Sequence, residues 1–503
     1  MQTEFDADVI VIGAGPVGST ALAVLGRTGL TAIGLEKAPS VWPAARAVHF
    51  DGETFRTLQT LGATERFSQV TIPMASMHIQ NEAGEVLVSV PTGRFGSQAW
   101  HDDLNFHQPD LEATLRDIIA ELPGVELRCG ITASGVENVD GGVAVTTLDD
   151  EGQQSVLRAR WVIAADGARS AVRQSLGIDT DRFGEDAQWI VVDGLLVDSP
   201  GLADDMIFLG HHTRPALWVR LPGTRVRMEF MVMPGDDLEE IVTADAIERI
   251  SHGVLPVDKF TPDRQAVYTF RGRIAQRWRD GGIFLAGDAA HQAPPLFGQG
   301  LCAGIRDIAN LCWKLDLVKR GAADDALLDT YESERKPHAQ FWVEQAANAA
   351  GFVQTTDAGV AAQRDAFLRE HPEAAAPVPP RLGPGLHRGE RDERAGALSI
   401  QPMLADGTRL DDMVGAHFVV AATREVYQAL PPEVREALDA DGDIVTLLDP
   451  AKIQQLLDSV RAEALVIRPD RYILGVADSA EDLEQLIRDI PSISVTSPVP
   501  VAG

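Results

Sequence analysis

The residues best suited to ligand chemistry lie between Gly281 and Leu315. There an apolar run ends in Gly287-Asp288, a proline-glycine loop follows, and a helical pattern begins. A carboxylate at the end of a buried strand can bind a sugar hydroxyl. Glycines let the main chain approach a ligand closely, and the start of a helix offers free N–H groups to negative charge. The segment therefore predicts a site for an anionic, sugar-bearing ligand.

A second, independent nucleotide signature opens the chain. It reads Gly13-Ala14-Gly15-Pro16-Val17-Gly18, with Glu36 eighteen residues beyond the last glycine. In this pattern the glycines allow a tight turn, admit a pyrophosphate and let helix pack on strand, while the acid binds a ribose. The run ADVIVI precedes the glycines and a helical pattern follows them, which indicates a βαβ unit. Two such signatures predict one dinucleotide that is bound from both ends, and flavin is the leading candidate.

A third segment, residues 164–173, follows the apolar run WVIA. Alone it is typical of a strand-to-helix turn with Ser170 as the N-cap. In this order, however, the three segments resemble those of the single-component FAD-dependent aromatic hydroxylases, the group A flavoprotein monooxygenases with the p-hydroxybenzoate hydroxylase fold. The resemblance spans about residues 7–350. Residues 45–62 and 468–475 are most similar to the branch that contains phenol hydroxylase, 3-(3-hydroxyphenyl)propionate hydroxylase and the polyketide-tailoring aromatic hydroxylases.

The resemblance implies an FAD site and assigns residues to it. Arg46 and Gln108 would contact FAD, Asp288 its ribityl chain, and Pro294 and Pro295 would approach the isoalloxazine ring, with Pro295 also a catalytic candidate. Cys302 stands where asparagine is common, a change of little cost if the contact is a backbone N–H. The full set of implied cofactor-binding residues is Gly13, Gly15, Pro16, Val17, Gly18, Glu36, Lys37, Arg46, Gln108, Asp166, Gly167, Asp288, Pro295, Gly298, Gly300, Leu301 and Cys302.

The implied chemistry is hydroxylation of a phenolic or polycyclic aromatic ring with NAD(P)H and O2, through a flavin C4a-hydroperoxide. NAD(P)H is expected to bind transiently, because the chain has no second glycine-rich βαβ unit. A base near the phenol would help, and a neutral His49 with an ordinary pKa is the candidate. A structural histidine that is hydrogen-bonded in a strand is the equal alternative. Arg220, Arg225 and Arg227 are candidates to meet a substrate carboxylate, and pairing with the chain's acids is the alternative.

Two other functions stay open at this point. One is a flavin oxygenase that modifies an antibiotic-like ligand, and the other is a flavin-binding sensor without turnover. The proline-glycine loop argues against a sensor, because a sensor has little need to stabilise reduced flavin. Disulfide reductases are disfavoured because CxxC is missing, and flavin halogenases because no WxWxIP-like segment occurs.

These residues need several elements to position them, and the sequence predicts an α/β protein. A Rossmann-like FAD-binding domain is expected over 1–185 and 272–371, interrupted by a sheet-rich substrate domain over 186–271. A proline-rich linker is expected at 372–398, and the resemblance implies a thioredoxin-like domain without CxxC at 399–503. Since this last domain cannot perform dithiol chemistry, packing or homodimer formation is its remaining role.

The composition of the chain limits the kinds of partner and compartment that we expect. Forty-four basic and 74 acidic residues give a net charge of −30, which disfavours nucleic acid and anionic lipid as partners. No apolar run approaches the roughly 20 residues of a membrane span. The N-terminus lacks the basic segment of a signal peptide, and the three cysteines form no disulfide framework, so we expect a cytoplasmic enzyme. No metal site is predicted.

Overall fold

A computed structural model of the chain describes residues 5–41, 46–197, 203–251, 260–372 and 377–493. Over these residues the chain forms two compact units. The first consists of the described residues up to Gly96, of Trp100–Ile305 and of the described part of Ala339–Pro379. The second consists of Ser97–Ala99, Arg306–His338 and the described residues from Pro380 onwards. The domain boundaries given above stay predictions.

The strands of the described residues are, in chain order, β1 (Ala7–Ile12), β2 (Ala32–Glu36), β3 (His49–Asp51), β4 (Thr71–Pro73), β5 (Ser76–Gln80), β6 (Val86–Pro91), β7 (Asp103–Phe106), β8 (Val125–Cys129), β9 (Thr132–Val139), β10 (Gly142–Leu148), β11 (Gln154–Ala164), β12 (Thr180–Leu196), β13 (Met206–Leu209), β14 (Ala216–Arg220), β15 (Arg225–Met231), β16 (Phe260–Ala275), β17 (Arg279–Asp280), β18 (Ile283–Leu285), β19 (His291–Gln292), β20 (Phe418–Ala422), β21 (Ile444–Leu447), β22 (Ala464–Ile467) and β23 (Ile473–Ala477).

The α-helices of the same residues are α1 (Pro16–Thr28), α2 (Gly52–Gln59), α3 (Thr64–Gln69), α4 (Gln108–Glu121), α5 (Ala171–Ser175), α6 (Ala244–Ser251), α7 (Gln299–Arg320), α8 (Ala326–Val353), α9 (Ala358–Glu370), α10 (Leu410–Val414), α11 (Arg424–Gln428), α12 (Pro432–Ala440), α13 (Pro450–Val460) and α14 (Ala480–Ile487). None of these helices is both long enough and apolar enough to cross a lipid bilayer.

The nucleotide sheet of the first unit has the strand order β17-β18-β11-β1-β2-β8. Strands β18, β11, β1, β2 and β8 run parallel, and every residue of β1 is buried, as expected for a strand covered on both faces. Ile12 pairs with Ala164, and Ala164 pairs with Leu285. The carboxyl ends of these three strands therefore meet at one edge of the sheet, where ligands of such sheets bind.

A second sheet of the first unit has the order β19-β16-β12-β15-β14-β13-β5-β6. Side chains alternate along its strands between two faces. On β15, Val226, Met228 and Phe230 join one hydrophobic cluster, so Arg227 and Glu229 lie on the opposite face. A separate small sheet, β3-β7-β4, places the strand that carries His49 beside the strand that carries Asp103.

The second unit is built on a four-stranded sheet of order β21-β20-β22-β23. Strand β20 runs parallel to β21 and antiparallel to β22, which is antiparallel to β23. With α11 and α12 before β21, α13 before β22 and α14 at the end, this is the predicted thioredoxin-like arrangement. Phe418 and Val420 belong to one hydrophobic cluster and Val419 and Ala421 to another, so both faces of the sheet are covered.

A buried ion cluster crosses the second unit. Glu334 accepts hydrogen bonds from both terminal nitrogens of Arg468 at 2.8 Å, from Lys314 Nζ at 2.8 Å and from the Leu386 N–H at 2.6 Å. Arg468 also donates to Asp470, and Glu334, Arg468 and Lys314 are fully buried. Burial lowers the pKa of Lys314 to about 8, although the Glu334 charge opposes that change.

Candidate functional site

The glycine turn after β1 presses against the end of β11. Gly13 has φ +91°, and a Cβ added to it would lie 2.5 Å from the Ala165 carbonyl oxygen. A Cβ added to Gly18 would overlap the Gly13 carbonyl oxygen. A Cβ added to Gly15, in contrast, would meet no atom within 4 Å, and this residue begins helix α1 without a side-chain cap. The turn thus leaves open space at the start of a helix, which fits a pyrophosphate.

Glu36 lies at the end of β2, directly beside this turn. Its Oε2 accepts the Ala14 N–H at 2.8 Å, and its Oε1 accepts the Ala38 N–H at 2.9 Å. Each carboxylate oxygen has a further lone pair for a ribose hydroxyl. Lys37, the next residue, is exposed. Val17 contacts Gly287 closely, since a Cβ added to Gly287 would lie 3.1 Å from Val17 Cγ2. Val17 therefore joins the first glycine turn to the segment that carries Asp288.

Two further carboxylates lie at the same sheet edge. Asp166 accepts the Val172 N–H through Oδ2 at 3.1 Å, whereas its Oδ1 is buried without a hydrogen-bond partner. Gly167 follows with φ +82°. Asp288 is half-buried, and burial raises its pKa even though His291 and Arg46 act in the opposite direction. An unsatisfied carboxylate oxygen and a desolvated carboxylate fit a hydroxyl-bearing ligand such as FAD, because hydroxyls would supply the missing donors.

The Arg46 segment is held through its backbone. Gln108 Oε1 accepts the N–H groups of Arg46 at 2.7 Å and Ala47 at 2.9 Å, and Gln108 Nε2 donates to Glu112 at 2.7 Å. The Arg46 carbonyl oxygen accepts a hydrogen bond from Arg227 Nη1 at 2.7 Å. The Arg46 side chain is exposed. Gln108 thus acts on the site by positioning residues 46 and 47, a role that its place in the sequence did not indicate.

The proline-glycine loop leads directly into α7. Pro295–Phe297 forms a 3-10 turn, Gly298 has φ +63°, and Pro295 and Leu301 are half-buried. A Cβ on Gly300 would meet no atom within 4 Å. Cys302 is buried, and its Sγ donates to the Gly298 carbonyl oxygen at 3.5 Å. Because the first N–H groups of a helix point away from its body, the start of α7 can receive negative charge.

His49 lies against this loop. Its Nε2–H donates to Asp103 Oδ1 at 2.6 Å, and a Cβ on Gly298 would overlap its Nδ1. Burial alone would lower the pKa of His49, but the charge and hydrogen bond of Asp103 and the charge of Asp51 outweigh it and raise the pKa. The expectation of an ordinary pKa was therefore wrong. His49 is at once a hydrogen-bonded strand residue and a neighbour of the loop, so the two interpretations do not exclude each other.

A charged cluster lies on the face of the second sheet that carries Arg227. Arg227 binds Asp193 through Nε at 2.7 Å and Nη2 at 2.9 Å, and Arg264 Nη1 binds the same carboxylate at 3.2 Å. Arg264 also donates to the Tyr268 hydroxyl. Glu229 is 5% exposed, lies 3.8 Å from Arg227, and its pKa is raised by burial to about 7.

The predicted arginines of this region are paired with acids. Besides Arg227, Arg220 lies 3.7 Å from Asp204 and Arg225 lies 3.8 Å from Asp110. The residues that sequence reasoning missed are Asp103, Asp193 and Glu229. The run RVRMEFM does contain a signal for Glu229, because an acid occupies the same alternating register as two arginines in an otherwise apolar strand.

Glu229→Gln is expected to change how stability depends on pH. The pKa of Glu229 is about 7 in the folded chain against 4.5 ordinarily, so the folded state loses stability as pH rises from about 4.5 through about 7. This pKa difference corresponds to about 3 kcal/mol. The free energy of unfolding, measured with denaturant at pH 5 and pH 8, should fall in the wild type and not in the variant. The other titratable groups are the same in both proteins, so they contribute equally. Identical pH dependence in both proteins would contradict the assignment.

Comparisons with known proteins agree with this geometry. A family model described as FAD binding domain matches residues 6–346. A probable NADH-specific resorcinol 4-hydroxylase of Rhodococcus jostii (strain RHA1) is 33% identical over 514 residues, which is 98% of this chain and 96% of the relative. A 3-(3-hydroxy-phenyl)propionate/3-hydroxycinnamic acid hydroxylase of Burkholderia cenocepacia (strain HI2424) is 33% identical over 516 residues, 94% of each chain.

Two solved structures share the fold. The flavin-dependent monooxygenase PieE, in complex with FAD and substrate, has a TM-score of 0.83 at 21% identity and covers 97% of this chain and 100% of its own. Aklavinone-11 hydroxylase, in complex with FAD and aklavinone, has a TM-score of 0.80 at 22% identity and covers 97% and 99%. At these identities the likeness establishes the architecture of the chain.

Proposed function

The chain belongs to the FAD binding domain family, and from that membership we propose that it hydroxylates a phenolic or polycyclic aromatic ring with NAD(P)H and O2. One oxygen atom enters the ring and the other leaves as water, while NAD(P)H gives up a hydride and is oxidised. The observation that carries the proposal is the single edge at which β1, β11 and β18 end, with open space at Gly15 and a buried Asp166 Oδ1 that lacks a hydrogen-bond donor.

Bound FAD would supply the group that accepts hydride from NAD(P)H and activates O2. The residues of this chain hold and orient it. The turn at Gly13–Gly18 and the start of α1 would bind the pyrophosphate, Glu36 the adenosine ribose, and Asp166 and Asp288 the remaining hydroxyls. The loop at Gly298 and the first N–H groups of α7 would stabilise negative charge on the ring system, by about 1 kcal/mol or more when partly buried.

His49 is the group of this chain that we propose to move a proton. The Asp103 carboxylate can only accept a hydrogen bond, so Nε2 of the neutral imidazole carries the proton. Nδ1 is then the basic atom, and it lies on the side of the Gly298 loop. A phenol deprotonated by that nitrogen becomes more electron-rich, which favours attack by electrophilic oxygen. Asp103 is then a positioning residue, because it fixes the tautomer and the ring orientation of His49.

The proposal is tested with purified protein. We expect bound FAD, oxidation of NAD(P)H that accelerates when a phenol is added, and incorporation of one atom from isotopically labelled O2 into the product by mass spectrometry. Bound FAD that is never reduced in the presence of phenols would refute the activity while leaving the cofactor site intact. Reduction with release of peroxide and no labelled product from any aromatic compound would refute hydroxylation.

Asp103→Asn is expected to move the acidic limb of the kcat/KM profile to lower pH. Asp103 raises the pKa of His49, so an amide in its place lets the imidazole lose its proton at lower pH. At pH values above this limb, kcat/KM should fall by about 100-fold or more in His49→Ala, as for loss of a general base, and by less in Asp103→Asn. An unshifted limb in Asp103→Asn would remove the pair from the mechanism, and FAD absorbance serves as the control for an intact site.

Three further features complete the proposal. The reaction would take place in the cytoplasm, in keeping with three cysteines without a disulfide pattern. NAD(P)H would bind transiently, as the chain carries one glycine-rich βαβ signature. The second unit lacks a cysteine beyond Cys312, and its contribution would be packing or dimer formation.

A further inference from the structure

A cavity of about 250 Å3 lies in the first unit, between the second sheet and helices α8 and α9. Its walls are apolar and include four aromatic side chains, Phe208, Phe297, Phe352 and Phe367. The polar side chains that line it are the amides of Gln345 and Asn348, and none of the described side chains that line it carries a charge. An engineered cavity of about 150 Å3 holds benzene, so this cavity has room for a group larger than one bare ring.

The cavity adjoins the proposed site of chemistry. Leu296 and Phe297, which line it, belong to the turn that ends at Gly298, the residue that lies against His49. Leu296 also packs in one hydrophobic cluster with Val48, the residue before His49. The cavity therefore begins at the turn that contacts His49, where a substituent of a ring bound beside His49 would reach it.

The strand register connects the cavity to the charged cluster. Ile79 pairs with Phe208, Phe208 with Leu217, and Leu217 with Glu229, so these side chains form one row on one face of the sheet. Phe208 and Ile79 line the cavity, and Glu229 lies two strands away from Phe208, at roughly 10 Å by strand spacing. The row thus changes from apolar at the cavity to acidic at Glu229.

Three of the described cations near this face, Arg227, Arg264 and Arg364, have acidic partners. Arg227 and Arg264 bind Asp193. Arg364 of α9 donates to the Gly210 carbonyl oxygen at 2.7 Å and to Asp365 at 2.7 Å. A substrate carboxylate in the cavity would lose its hydration without gaining a cationic partner from the lining, which is unfavourable. An alkyl or aryl group would exchange water for apolar contacts, which is favourable.

We propose that this cavity binds an uncharged, apolar substituent of the substrate, so that the enzyme selects neutral alkyl- or aryl-substituted phenols over phenols that carry a carboxylate. The inference rests on the proposed hydroxylase function and specifies its substrate class. Gln345 and Asn348, three residues apart on α8, lie on neighbouring positions of that helix and add a neutral polar contact at the wall of the cavity.

The first experiment measures binding and turnover separately. The FAD-loaded enzyme is titrated with phenols that carry methyl, propyl or pentyl groups and with matched phenols that end in a carboxylate, by the change in flavin absorbance. Each methylene buried should tighten binding by about fourfold until the cavity is full. The carboxylates should bind at least tenfold more weakly than alkyl phenols of equal length. Equal affinity across the alkyl series, or tighter binding of the carboxylates, would overturn the inference.

Two variants test the cavity itself. Ala349→Phe places a large side chain on the lining and should abolish the gain in binding affinity that the alkyl group provides. Gln345→Arg supplies a cation and should improve binding of the carboxylate series at least tenfold. The control is Gly351→Ala on the same helix, where an added Cβ meets no atom within 4 Å. An unchanged alkyl preference in Ala349→Phe would refute the assignment of the cavity.

Failure of the inference and failure of the proposed function give different results. If phenols are hydroxylated without the alkyl preference, the function stands and the cavity assignment falls. If alkyl phenols bind with the predicted preference and no phenol is hydroxylated, the cavity assignment stands and the function falls. Should Ala349→Phe not fold, Gln345→Arg, at a half-buried position, still decides the question through binding alone.

Discussion

Gly15→Ala is expected to give a folded protein that no longer retains FAD. The added Cβ meets no atom of the chain within 4 Å, and φ at this position is −69°, which alanine adopts readily. The methyl group would instead occupy the space at the start of α1 that the pyrophosphate needs. Steric overlap of this kind costs about 1–3 kcal/mol, which corresponds to a loss of affinity of roughly 5- to 150-fold.

The measurement is FAD content after purification and the Kd for added FAD, with the unfolding midpoint as the test of folding. Gly442→Ala is a matched control, because its Cβ also meets no atom within 4 Å and the residue lies in the second unit. Gly18→Ala should behave differently, since its Cβ would overlap the Gly13 carbonyl oxygen and damage the turn itself. Wild-type FAD affinity in Gly15→Ala would show that the pyrophosphate does not lie over this residue.

Glu334→Gln is expected to destabilise the second unit by about 3–5 kcal/mol. The substitution keeps the shape of the side chain and removes the charge that binds Arg468 and Lys314, both fully buried. Breaking a buried ion pair from one side leaves an uncompensated charge without water, and this accounts for most of the loss. An exposed acid of the same unit, Glu433, serves as control, and its change to glutamine should alter stability by less than about 0.5 kcal/mol.

Thermal and denaturant unfolding of the two variants would decide the matter. The FAD content of the Glu334→Gln variant, compared with that of the wild type, would show whether the first unit still binds its ligand when the second unit is destabilised. A loss below about 1 kcal/mol would mean that Asp470, which also binds Arg468, compensates for the missing charge. In that case the cluster would be redundant, and the prediction would be wrong.

Local sequence signals predicted the elements that carry the nucleotide site. The run at 108–121 has apolar residues on one helical face, and α4 spans those same residues. The βαβ unit was likewise predicted, because β1, the glycine turn and α1 each have a short-range signature. The helical pattern that was predicted after the proline-glycine loop corresponds to α7, which begins at Gln299.

The partners of the functional residues could not be predicted in the same way. The bond between His49 and Asp103 depends on the pairing of β3 with β7, whose residues are separated by more than fifty positions. The place of Glu229 depends on the order of the strands in an eight-stranded sheet. Both contacts are non-local. A single sequence shows the apolar-polar alternation of each strand, but it does not show which strand pairs with it.

The contact between Gly298 and His49 has a consequence for directed evolution. Any Cβ at position 298 would occupy the volume of the imidazole, so the two sites should show strong epistasis. Libraries that diversify one of them alone would sample mostly inactive proteins. Paired libraries, with a small residue at 49 and a larger one at 298, would reach variants in which the proton acceptor has been moved from β3 to the loop before α7.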